Sequence, residues 1–128
     1  MSLVLDAGGV IALAARRELL VEIRARGLWP PRVSTIVLAE ALTGDHRRDH
    51  PTNRLLRTCQ VRKVDEVQAR EAARLRTATG RAGSISAVDA VVAALAATQH
   101  DAFVLTSDPR DLRALAEHTA RPVTVVVA

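Results

Sequence analysis

Short apolar runs alternate with stretches of helical periodicity along this chain of 128 residues. Leu3, Val4 and Leu5 run straight into Asp6 and predict a buried strand over 3–6, followed across Gly8-Gly9 by a first helical turn. In "RRELLVEIRAR", Leu19, Leu20 and Ile23 share one helical face, and Gly27 suits a C-terminal stop. "PRVS", from Pro31, reads as a second strand, and "STIVLAEAL" as a helix capped by Ser34 or Thr35. The polar "TGDHRRDHPTN" reads as a loop or hinge. "RLLRTC" then reads as helical and "VRKV" as a strand. "DEVQAREAARLRTATG" predicts a long helix, with Asp65 and Glu66 at its positive end and Gly80 closing it. After the turn "AGSIS", "SAVDAVVAALAATQ" is apolar on nearly every side, which predicts a central buried helix. "AFVLTS" is a buried strand, "DPRDLRALAEH" a capped helix and "PVTVVV" a last strand.

Strands alternating with helices predict an α/β sandwich of three layers around a mainly parallel sheet. The length suits one domain over 1–128. A single cysteine, Cys59, fits a reduced, cytoplasmic protein and excludes both a disulfide framework and a thiolate metal site. No apolar run is long enough to span a membrane, and Asp6 interrupts what would otherwise resemble a signal segment. The aromatics are Trp29 and Phe103 alone, too few for a base-stacking platform. Net charge is +4, and all cationic side chains but Lys63 are Arg, the residue suited to bidentate phosphate contacts. That balance permits a nucleic-acid partner without requiring one.

Four acids stand near element ends. Asp6 ends the first strand, Asp108 follows "AFVLTS", and Asp89 lies in the first turn of the apolar helix. Glu40 falls about five residues, roughly 7.5 Å, into its own helix. If these helices start at one sheet edge, all four acids converge there, where open parallel sheets bind their ligands. Each acid also has a local explanation. Asp108 before Pro109 and Asp111 is an N-cap pattern, Ser86-x-x-Asp89 fits a capping box, and Asp6 could cap the turn at Gly8. Glu40 is the exception, because "IVLAEAL" surrounds it with apolar residues and no nearby cation. Its helix is therefore expected to be partly buried, and a buried lone carboxylate needs a proton or a positive partner. Other chemistry is poorly represented. No Gly-Lys-Ser/Thr follows "DAGG", no G-x-S-x-G occurs, and His46, His50, His100 and His118 lack metal-ligand spacing.

"LVLDAGGVIAL", "STIVLAEAL", "AVDAVVAALA" and "VLTSDPRDLRAL", in this order, resemble the successive motifs of PIN-domain ribonucleases, most closely the VapC-type toxins of toxin–antitoxin pairs. The resemblance implies an endoribonuclease whose Mg²⁺, or Mn²⁺ in its place, is held by Asp6, Glu40, Asp89 and Asp108. Thr106 matches the family's polar position, and Asp111 stands beside the set. Gly8 departs from the serine or threonine that many members carry there. The resemblance further implies a homodimer, an RNA substrate and a cognate antitoxin. Arg47 and Arg48, in the basic loop after Glu40, are candidate RNA contacts. Two alternatives stay open at this point: an RNA-processing nuclease outside any toxin pair, and a PIN-like module that binds RNA or protein without cutting.

Overall fold

The computed structural model describes residues 1–128. Five strands, β1 (Ser2–Leu5), β2 (Arg32–Ser34), β3 (Gln60–Arg62), β4 (Ala102–Thr106) and β5 (Val123–Val127), form one sheet in the order β3-β2-β1-β4-β5. Every pairing is parallel, so the expected mainly parallel sheet is wholly parallel. Seven helices cover it: α1 (Ala7–Ala15), α2 (Arg17–Ala25), α3 (Thr35–Ala41), α4 (His50–Leu56), α5 (Glu66–Ala78), α6 (Ala87–Ala97) and α7 (Pro109–Ala116). The result is a three-layer α/β/α sandwich.

Burial follows composition. Helix α6 is buried continuously from Ala90 to Ala96, and it packs on β1, β2, β4 and β5 with α5 and α7 beside it. Its run of small side chains lets it lie close to the sheet. Helix α1 packs against β1 and β4, with α2, α3 and α4 gathered around it. Gly9 makes that approach close: a Cβ there would stand 2.2 Å from the Leu105 carbonyl oxygen, a backbone atom that cannot swing away. Gly9→Ala is therefore expected to destabilise the protein by ~1–3 kcal/mol through overpacking. The urea midpoint checks this, and an unchanged midpoint would mean that α1 and β4 separate freely.

The chain order places β1 at a reversal. From β1 the sheet grows through β2 to β3 on one side, then through β4 to β5 on the other. Ligand sites in parallel sheets lie outside the carboxyl ends of strands at such a switch point. Asp6 is the residue immediately beyond β1.

Two local expectations change. The segment read as a loop is helical from His50, because Asp49 turns its carboxylate back onto the Thr43 and Gly44 amides and the Thr43 hydroxyl at 2.8–3.1 Å. Those donors hold the Asp49 carboxyl below its ordinary range. Glu40 is exposed rather than partly buried, since α3 buries Val37 and Ala41, four residues apart, and Glu40 lies off that stripe.

Candidate metal-binding acidic site

Asp6 does two things at once. Its Oδ1 accepts a hydrogen bond of 2.7 Å from the Gly9 amide and so caps α1, while its Oδ2 accepts one from the Thr106 hydroxyl. The expected cap is therefore real, yet the carboxylate also faces across the sheet edge. Thr106 is completely buried, and its Oγ1 in turn accepts from the Asp108 amide at 3.0 Å. Asp6 is itself buried, and burial raises its pKa above the ordinary 3.8. The two hydrogen bonds oppose that rise, and the charge of Asp108 adds to it.

Asp89, half-buried in the first turn of α6, is the most perturbed acid, with its pKa raised from 3.8 to about 6. Burial is the largest cause. The charges of Asp6, Asp111 and Glu40 add to it, and the Ser86 hydroxyl works against it. Carboxylates borne by α3, α6, α7 and the end of β1 therefore lie within electrostatic reach of one another. Of the four expected acids, Asp89 feels the charges of Asp6 and Glu40, and Asp6 feels that of Asp108. The capping box appears as one half, with the Ser86 hydroxyl accepting from the Asp89 amide at 3.0 Å.

Asp108 occupies the N-cap position of α7, before Pro109, but its side chain makes no capping bond. Thr106 secures the backbone there instead, so the exposed carboxylate is free. Asp111 is different: Arg81 Nη2 lies 2.7 Å from its Oδ1 in a half-buried ion pair. Nothing in the local pattern around "TGRAGS" announces Arg81, whose partner stands thirty residues away. Arg47 and Arg48 are exposed, with their backbone amides tied to Asp45 Oδ1 at 3.0 and 3.2 Å. No contact joins these two residues to the acids.

The missing side chain at Gly8 leaves room that another residue uses. A Cβ on Gly8 would stand 2.2 Å from Ser107 Oγ, so a hydroxyl from β4's end occupies the space where a side chain at position 8 would begin. Ser107 is exposed beside Asp108. Nothing in the local sequence singles it out, since it meets Gly8 only in the fold.

Hard oxygen donors suit Mg²⁺, which keeps several waters and needs few protein ligands. The acids fit that demand in chemistry and number. They do not form a closed shell: no three His, Cys, Asp or Glu side chains stand close enough together to grip an ion. Like-charged carboxylates hold apart until a cation offsets them. An apolar groove of about 480 Å³ between α2 and the sheet is lined by Leu19, Ile23, Leu28 and Phe103 and includes none of these acids. An open acidic edge suits a polymer lying across it better than an enclosed small molecule.

The PIN domain family model matches residues 3–118. Among solved structures, the DNA-bound VapBC complex of Salmonella typhimurium aligns with a TM-score of 0.74 at 17% identity, covering 99% of this chain and 98% of that one. VapBC2 of Rickettsia felis, bound to a promoter DNA fragment, gives 0.72 at 16%, covering 100% and 99%. A toxin–antitoxin complex from Klebsiella pneumoniae gives 0.63 at 24%, covering 84% and 88%. None of the curated protein sequences matches the chain. With a buried strand-end aspartate, a convergent set of carboxylates and a family match over almost its whole length, the chain belongs to the PIN domain family, whose members are nucleases.

Proposed function

We propose that this chain is a Mg²⁺-dependent endoribonuclease, with Mn²⁺ as an effective substitute, and the toxin of a toxin–antitoxin pair silenced by its cognate antitoxin. The observation that carries the proposal is Asp89. It is half-buried in the first turn of α6, and burial together with the charges of Asp6, Asp111 and Glu40 pushes its carboxyl up to about 6. PIN nucleases generally use divalent metals, in keeping with that site. The toxin–antitoxin complexes among the structural relatives support an antitoxin partner. The domain spans 1–128, works in the cytoplasm and pairs as a homodimer.

Asp6, Glu40, Asp89 and Asp108 are the residues that would hold the cation. When bound, it orients and acidifies the attacking water and offsets charge on the phosphodiester as the bond breaks. The chain's own contribution is positioning. Thr106 and the Gly9 amide fix the Asp6 carboxylate, whereas Arg81 pairs with Asp111 at the same edge. Ser107 supplies an exposed hydroxyl at the same edge. No helix is long and apolar enough to cross a membrane.

Incubating the purified protein with structured and unstructured RNAs tests this reading. Internal cleavage is expected with Mg²⁺ and none with EDTA; cleavage that persists in EDTA, or none in either, contradicts it. Arg47 and Arg48 make a separate prediction. If both meet phosphates, replacing them with Ala flattens the salt dependence of RNA binding by about one unit per lost contact. An unchanged slope in filter binding would leave them as solvated surface.

A further inference from the structure

Ser34, the last residue of β2, is completely buried, and its hydroxyl has no hydrogen-bond partner. It stands at the N-cap position of α3, where serine normally accepts from a helix amide, yet no such bond forms. A buried hydroxyl left unpaired costs free energy, and such groups are rare enough to need a reason. The sheet register supplies one. Leu5 pairs with Val33 on one side and with Leu105 on the other. The next row across β2, β1 and β4 is therefore Ser34, Asp6, Thr106, and residues in register share a face of the sheet. Helix α6, which carries Asp89, packs over these strands.

Thr106 donates to Asp6 from one flank. Ser34 flanks Asp6 on the other side. An ionised carboxylate offers about four lone-pair sites, and the Gly9 amide and Thr106 hydroxyl take two of them.

We infer that Ser34 is a positioning residue for the cation site: with a divalent cation among the carboxylates, its hydroxyl donates to the Asp6 carboxylate opposite Thr106. The cation takes one of the remaining lone pairs and Ser34 the other, which locks the rotation of the ligand. Without the cation, Asp6 is held only by α1 and Thr106, and Ser34 is left unpaired. This assignment rests on the proposed cation site.

The test is calorimetric titration of Mn²⁺ into full-length protein, together with melting in EDTA. Ser34→Ala is expected to melt in EDTA at or above the wild-type temperature, since no bond is lost, but to bind Mn²⁺ about tenfold more weakly. Ser34→Cys keeps the shape with a slightly larger side chain and replaces a strong donor by a weak one, so it should lose affinity in the same way. A lower melting temperature of Ser34→Ala in EDTA would make the hydroxyl structural and overturn the assignment. So would wild-type Mn²⁺ affinity in both variants, while leaving the cation site intact. If wild type itself binds no Mn²⁺, the cation site falls, and this assignment with it.

Discussion

Asp89→Asn is expected to lower RNA cleavage at least about a hundredfold while leaving the cation-free protein more stable than wild type at neutral pH. Groups that merely support metal ligands cost 10–100-fold in affinity or activity when lost, so a direct ligand should cost about that upper value or more. The stability gain follows from linkage. The folded protein raises the Asp89 pKa from 3.8 to about 6, so the folded state holds this proton more tightly than the unfolded chain. Its contribution to stability is fully present below about pH 4 and is lost as pH rises towards 6 and beyond. Asn never ionises and does not suffer that loss. The quantity to measure is the difference between the two urea-denaturation curves across pH 4–7. Asp49 and Glu71, whose pKa values are lowered, push the opposite way in both proteins and cancel in the difference. Protons also compete with cations for Asp89, so the Mg²⁺-induced melting shift of wild type should shrink as pH falls below about 6. A difference curve flat in pH would show that Asp89 is not desolvated among like charges.

Asp108→Asn is expected to lose most cleavage with almost no change in stability, and the same holds for the stability of Asp108→Ala. An aspartate whose side chain caps a helix costs ~0.5–2 kcal/mol when replaced by Ala. Here the side chain accepts no such bond, and the backbone is held through Thr106 instead. The sequence pattern Asp-Pro-x-Asp is that of a helix start, and the helix does start there. What the pattern misses is that the carboxylate goes unused by the helix. In EDTA both variants should melt near wild type, and in Mg²⁺ both should gain less than wild type does, since only binding to the folded state stabilises. A drop of ~1 kcal/mol for Ala but not for Asn, with cleavage intact in Asn, would return Asp108 to a capping role.

Much of the fold was legible because its signals are local. The runs at 3–5 and 102–106, the stops at Gly27 and Gly80 (φ +74 and +70) and the all-round apolar 90–96 segment each announce their element within one window. Asp6, Asp89 and Asp108 were legible as element-end acids for the same reason. Glu40 belongs to its helix as expected but not to the buried face, because the four preceding apolar residues suggest burial whereas the face is set by Val37 and Ala41. The pattern offers Ser34 or Thr35 as the cap because such residues before a helix usually are one; Ser34 takes the position without the bond. Arg81 and Ser107 were invisible, since each matters through a residue far along the chain. Asp49 was hidden too, its carboxylate turned back to order a loop that looked merely polar.

On the proposed function, the carboxylates at the end of β1 gather a divalent cation. Crystals of the wild-type chain soaked in Mn²⁺ and measured at the manganese absorption edge test it most directly. The expected result is an anomalous peak in contact with Asp6 and Asp89 oxygens, reached also by Glu40 or Asp108, and lost in Asp89→Asn. A peak elsewhere, or none at this edge with Mn²⁺ in excess, would contradict it.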